Sequence, residues 1–434
     1  MVDGVVLAEG EDRSTRAVSS PYHGHSPADY GDSTPPKGPD EAVQASSVRI
    51  ERFIGLSSDL DPYILRHKAW SPVQARREAQ WSCHRYSKDV LTPAHFEVVF
   101  KHQPRITAES SLQRQLEETV FPYQSQLMVA FCRHVHPSYP LLDADRLSHA
   151  MSHPVLKIAL CCIAHPFCPA AQSAIRRELY ETYEFEVLGA KNRFATLETI
   201  EAALLFAQRH PYSITPASDS LASQLETANI VSAAHDLGLN LDPGDWDMPE
   251  ATKRRRRRIW WALFIHDKWS ALALGRPSLI HDDQYSVQLI GPSDFCSEEE
   301  DAPPFEIRHG VDVFVAMALL THTLSSVISA FYTIRGGQRS LHQSADELYS
   351  VCTKIERELD HWRQVYLAPV MADHGFPDVT GLVTNFDFGL FTCSQTIRLY
   401  RTGSIHGCNH ALQGRVTEVD TTQYPSFRYQ TEGI

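Results

Sequence analysis

Residues 253 to 277 read KRRRRRIWWALFIHDKWSALALGRP, six cations running straight into a tryptophan pair. The stretch holds strong helix formers and no glycine or proline before Gly275, so it reads as one long helix that Gly275 and Pro277 end. Upstream, Asp247 is the expected N-cap, Pro249 fits the first turn and Glu250 completes a capping box. The helix is therefore expected from about Met248 to Leu274. Successive helical residues turn by about 100°, so Lys253, Arg254, Arg255, Arg256, Arg257 and Arg258 encircle the axis and cannot all face one DNA backbone. Arg254 and Arg258 share a stripe with Trp261, Ile265, Trp269 and Leu272, while Arg256 lies near Trp260, Phe264, Asp267 and Ala271. Both stripes are apolar farther along, which makes this a central core helix.

Some of these arginines must then be half-buried and paired with carboxylates, for which Asp242, Asp245, Asp247 and Glu250 are at hand. Six cations at a helix start also oppose the macrodipole, by about 0.3–1 kcal/mol each. A partly salt-bridged helix start is the expectation. A nuclear-import or protein-docking patch at Lys253–Arg258 is the functional alternative, and direct DNA reading by this helix ranks last.

The chain has 434 residues, 43% of them hydrophobic, and a formal net charge of -13. That balance argues against a polyanionic partner for the chain as a whole. Nine cysteines stand at irregular spacings. Acids occupy the start, where a secretory signal would be basic and then apolar, and no N-x-S/T occurs. Free thiols in a reducing compartment are expected. Val313 to Tyr332 carries no acid, lysine or arginine over about the length a bilayer requires. Its His322 and its several Ser and Thr residues favour a buried helix, and no membrane partner is expected.

Residues 1–47, rich in Ser, Pro, Gly and acids, read as a disordered tail. Residues 48–125 read as an irregular approach segment, with a helix broken near Pro122 over 113–131. Helices are expected at 153–165, 174–189, 196–210 and 220–239, and a loop at HVHPSYPLLD (134–143). No convincing run of strands is visible. The fold class is all-α, with helix hairpins around the Trp-rich helix. The main domain spans 126–384, and 385–434 reads as a divergent, irregular C-terminal tail.

RRRRRIWWALFIHDKWSALALGRPSLIHDD resembles the middle homology region of fungal transcription factors with a six-cysteine binuclear zinc cluster. FIGLSSDLDPYILRH (53–67), HVHPSYPLLD, TLETIEAALLFAQ (196–208) and ANIVSAAHDLGLNLDPGDWDMP (228–249) agree with it in order, over roughly residues 50 to 300. The last is most similar to the xylanolytic-activator type and to coactivators of nitrogen-source utilisation. The resemblance implies an all-α regulatory domain of a nuclear regulator of RNA polymerase II transcription. Within it, Trp260, Trp261, Asp267, Trp269, Gly275, Arg276 and Pro277 form the characteristic core motif.

The family reads DNA through Cys-x2-Cys-x6-Cys halves that hold two zinc ions. This chain has no Cys-x2-Cys, so no zinc cofactor is expected in it. DNA would be reached indirectly, or through a module encoded upstream. The expected partners are the transcription machinery or a DNA-binding protein, with a homo- or heterodimer as a further option.

CCIAHPFC, with Cys161, Cys162, His165 and Cys168, is the nearest approach to a metal site. Small apolar cysteines on a core helix explain it better. His134 and His136 read as loop structure. No nucleophile elbow, HExxH, dinucleotide or P-loop motif occurs, so an enzyme is not expected. The alternative to a transcription regulator is a helical sensor module that binds a small molecule or a protein.

Overall fold

Apolar spacing turns into helices and one small sheet in the computed structural model, which describes residues 47–55, 81–87, 95–102, 118–172, 195–208, 216–296 and 303–373. Strands β1 (Ser47–Phe53), β2 (Trp81–Arg85) and β3 (His95–His102) form an antiparallel sheet in the order β1-β3-β2. Phe53 pairs with Phe96, and His84 faces Phe96 from the other edge. The sheet corrects the expected irregular approach segment. VRIERF and HFEVVFKH mix charged with β-branched and aromatic residues at short range, a pattern that suits half-buried strands. Their charges had masked that signal.

A single 3-10 turn at Phe121–Tyr123 carries Pro122, and α1 (Gln124–His134) follows it. The expected break near Pro122 is therefore present, because proline cannot donate inside a helix. The turn-rich HVHPSYPLLD loop leads to α2 (Ala144–Ala150), whose N-cap Asp143 accepts from Arg146 N at 2.9 Å. Next come α3 (Pro154–Ala164) and the short α4 (Pro169–Gln172). A reciprocal Thr196–Thr199 capping box starts α5 (Leu197–Ala207). Beyond it, α6 (Pro216–Asp236) ends at Gly238, which adopts φ 59°. The helix expected over 174–189, the 1–46 part of the expected tail and the 385–434 segment lie outside the described residues.

The Trp-rich helix α7 covers Glu250–Leu274, and Gly275 closes it in the left-handed region at φ 61°. Its C-terminal stop is the expected one. Its start is not. Pro249 is the N-cap, with no side-chain capping bond. Asp247 N instead bonds Tyr86 O at 3.1 Å, and the Glu250 carboxylate goes to Lys253 Nζ at 2.8 Å. The chain is thus tied to the sheet edge before the helix can begin.

Helix α8 (Phe305–Val327) continues into a π turn at Ile328–Tyr332, followed by α9 (Ile334–His342) and α10 (Ala345–Trp362). A second π turn, Arg363–Leu367, leads to α11 (Ala368–Asp373).

Two apolar clusters hold these helices. The larger joins Leu127, Phe131, Leu160, Leu204, Trp260, Trp261, Phe264 and Phe314. The smaller joins Trp269, Met317, Leu320, Leu324, Leu348, Ile355 and Trp362. Both α7 and α8 contribute to both. Ile307–Tyr332 is long and apolar enough to cross a membrane by composition alone. Its apolarity is used instead on two protein-facing sides: Val311 and Phe314 point into the first cluster, and Leu320 and Leu324 into the second. Gly310 lets α8 approach the 134–143 loop, since a Cβ there would sit 1.5 Å from Pro137 O.

Trp260 and Trp261 are 0% and 1% exposed. The Trp261 indole donates to Gln288 O at 2.8 Å and packs edge-on against Phe264 at 5.2 Å. Truncation would remove the ring and orphan that carbonyl. Trp261→Ala is expected to lower unfolding free energy by about 3–5 kcal/mol in a urea titration, and a loss under about 1 kcal/mol would contradict the central placement.

Candidate functional site

The N-terminal half of α7 is a charge hub, and each of its six cations has a fixed acceptor. Lys253 Nζ bonds Gly244 O at 3.0 Å as well as Glu250. Arg254 Nη1 reaches Cys296 O at 3.1 Å. Arg255 forms a fork on Glu201, with Nε–Oε1 and Nη2–Oε2 both 2.7 Å, and also bonds Glu198 at 2.9 Å. Arg256 bonds the carbonyls of Leu237 and Gly238 and lies 4.8 Å over the Trp246 ring. Arg257 clamps Asp242 and reaches Asp294 at 3.3 Å. Arg258 bonds Asp143 at 2.7 Å, Asp294 O at 2.6 Å and Leu141 O at 3.3 Å.

The encirclement seen in the sequence explains this pattern. Cations that point in every direction around one axis meet a different neighbour on each side: α5, the α6–α7 turn, the loop before α2 and the 292–296 turn. None of the six is exposed, and Lys253, Arg256 and Arg258 are buried. A buried charge is tolerated when its hydrogen bonds are made, and here the acceptors are carboxylates or backbone carbonyls.

Glu201 is fully buried and receives both Arg255 and, at 3.5 Å, Arg146. Arg146 also pairs with Glu198 at 3.0 Å. Burial alone would raise the Glu198 carboxyl, but Arg255 and Arg146 outweigh it and hold it at about 2. Burial likewise pulls on Arg255, yet Glu201 and Glu198 keep its proton bound more tightly than usual. For Arg258 burial wins over Asp143 and lowers the guanidinium below its ordinary range. Burial opposes ionisation of Asp242, but hydrogen bonds from Arg257 and from the Gln288 and Gly244 amides keep it below the usual carboxylate range.

Of the acids expected to pair with the tract, Asp242 and Glu250 do so, while Asp245 accepts from Ser87 Oγ at 2.8 Å. Glu198, Glu201, Asp143 and Asp294 were missed. A signal existed for the first two. Glu198 and Glu201 stand three apart on one face of an apolar helix, and a lone acid among alanines and leucines calls for a buried cation.

The second half of the motif forms a strap. Asp267 accepts from Leu279 N, Ile280 N and Ser278 Oγ at 2.9, 3.1 and 2.6 Å. Lys268 is buried and bonds Ser278 Oγ at 2.8 Å and Ile280 O. It also reaches Asp282 at 3.7 Å, and Ser325 donates to the same Asp282 at 2.7 Å. Trp269 donates to Thr321 Oγ1 at 2.8 Å. Gly275 reverses the chain, Arg276 N closes the turn on Ala271 O at 3.0 Å, and the exposed Pro277 leads the strap back along α7. Asp267 and Lys268 thereby fasten α7 to the strap, and Asp282 fastens the strap to α8.

Among the described residues, the thiols of CCIAHPFC pack and do not converge on one point. Cys161 and Cys162 are fully buried in the larger apolar cluster, and burial pushes the Cys161 thiol up to about 12. Cys168 turns toward Gln126 and away from a ligand set. His134 stacks on Phe167 at 5.0 Å, and His165 begins a 3-10 turn. His136 is buried against Phe131, and burial together with Arg258 lowers it to about 4. Among the described residues no three His, Cys, Asp or Glu side chains converge on a metal-sized space.

Because Glu198 is depressed in the folded chain, its stabilisation is full above the unfolded carboxyl value of about 4.3. It is lost as pH falls through about 2. Wild-type stability should therefore drop more steeply between pH 4 and 2 than that of Glu198→Gln, followed by urea midpoints across that range. Parallel profiles would contradict the pairing.

The comparisons with known proteins point one way. The profile of the fungal specific transcription factor domain matches residues 128–364. An uncharacterised transcriptional regulatory protein of Schizosaccharomyces pombe is 29% identical over 239 residues, 52% of this chain and 35% of that protein. Cutinase transcription factor 1 beta of Fusarium vanettenii is 25% identical over 202 residues, 42% of this chain and 22% of its own. The transcriptional activator protein DAL81 of Saccharomyces cerevisiae is 23% identical over 296 residues, 57% and 30% of the two chains. The chain thus spans about a third or less of the length of these relatives. No solved structure matches. With a profile that covers more than half of its length, centred on the charge hub and its strap, the chain belongs to the fungal specific transcription factor domain family.

Proposed function

We propose that this chain is the regulatory, protein-contacting part of a nuclear regulator of RNA polymerase II transcription, with no catalytic step of its own. The observation that carries this is the hub. Inside the matched region, the most strongly charged segment is spent on internal contacts with four neighbouring segments. Such a helix is a scaffold, suited to hold surfaces in fixed relation.

In this reading Lys253–Arg258 act as a clamp more than as an import or docking signal, since an importin or partner would require an accessible strip. Sequence-specific contact with DNA is assigned to a partner protein or to a module outside these residues, and zinc likewise. The relatives named as transcriptional regulators support nuclear action. Homo- or heterodimer formation stays part of the proposal, with the transcription machinery as the class of partner.

Fusing the full chain to a heterologous DNA-binding domain, upstream of a reporter in a fungal host, tests it. Reporter output should rise or fall at least about fivefold against the DNA-binding domain alone, an effect of about 1 kcal/mol in promoter occupancy. A fluorescent fusion should concentrate in the nucleus. Output equal to the bare DNA-binding domain would overturn the assignment.

A further inference from the structure

One cationic face, on α9, pairs with none of the described acids. On α9, Arg335, Gln338, Arg339 and His342 follow at helical spacing and are all exposed. With Gln343 and Glu347 they line an open hollow of about 940 Å³ at the junction with α10. No side-chain hydrogen bond or ion pair engages Arg335, Arg339 or His342 among the described residues. Nearby, by contrast, Lys354 on α10 pairs with Glu358, and Arg363 just past its end pairs with Asp360. Glu347 is the one acid on the wall, and its carboxylate is already bonded to Ser344 N at 2.9 Å in the capping box of α10.

The face is held rigidly. Gly336 lies against the π turn so closely that a Cβ would meet Ser329 O at 2.5 Å, and Ser340 Oγ bonds Gly336 O at 3.0 Å. Thr333 caps the helix through Gly336 N at 2.9 Å. Next to the cations, Ile334 is 84% and Tyr332 44% exposed. Ile334 and Tyr332 thus set apolar surface beside the two arginines. Among the described residues of this chain of net charge -13, no acid pairs with Arg335 or Arg339.

We propose that the α9–α10 junction docks an acidic, apolar-containing peptide segment of a partner protein. Arg335, Arg339 and His342 would meet its carboxylates, and Ile334 and Tyr332 its apolar residues. Charge complementarity selects the occupant, and the apolar pair selects a peptide over a bare polyanion. The proposal goes beyond the transcriptional assignment and stands independently of how the chain reaches DNA.

Fluorescence anisotropy on the full-length chain tests it, with a labelled peptide of alternating glutamate and leucine or phenylalanine. Binding should weaken about tenfold or more in Arg335→Glu/Arg339→Glu, and less than about threefold in the off-site control Lys354→Glu/Arg357→Glu. Arg335→Gln/Arg339→Gln should weaken it in the same direction, and Ile334→Ser should weaken it severalfold. Circular dichroism melts verify folding of each variant. No binding by wild type, equal loss in the site and control variants, or tighter binding of duplex DNA or polyphosphate of matched charge would each overturn the proposal.

Discussion

The bidentate pair between Arg255 and the fully buried Glu201 is the constraint on which the rest of the structure depends. A carboxylate with no solvent contact must be matched by a cation that enters with it. Here that cation belongs to a helix that also carries the tryptophan pair. Fixing α5 against α7 through charge therefore fixes Trp260 and Trp261 in the larger apolar cluster. The other five cations repeat the arrangement at different azimuths, so α7 is located by charge at its start and by hydrophobic packing through its middle. Direction comes from the first and most of the burial energy from the second.

The strap extends the same logic. Asp267 and Lys268 are adjacent and opposite in charge, and both are buried. They serve the amides, hydroxyl and carbonyl of residues 278–280. The Gly275 reversal is what brings that segment back within reach. Asp282 then passes the connection to Ser325 on α8, whose far end carries α9 and its exposed cations. A scaffold of this kind holds an outer surface in place with core contacts, which is the role proposed for it.

Much of this was legible in the sequence, for identifiable reasons. Periodicity over 25 residues marks α7 without ambiguity, and a glycine followed by Arg-Pro marks its end. The start was misplaced because the Asp247 amide is held by Tyr86, just past β2 and some 160 positions earlier, and Pro249 takes the N-cap. The sheet itself was missed because charged and apolar residues share its strands. Half-burial of arginines followed from encirclement alone. Their partners did not, because Glu201 lies 54 and Asp143 115 residues away in the chain. Local spacing cannot pair charges at that distance. The α9 face stayed hidden for the opposite reason, since Arg335 and Arg339 look ordinary until the pairing of other cations leaves them apart.

A double-mutant cycle between Arg255→Gln and Glu201→Gln, measured by urea unfolding, tests the central claim most directly. If the tract is an internal clamp, the two losses are strongly non-additive, with a coupling of about 1.5–3 kcal/mol. Additive losses, with coupling below about 0.5 kcal/mol, would mean that the arginines do not hold the core together and that their purpose lies at the surface.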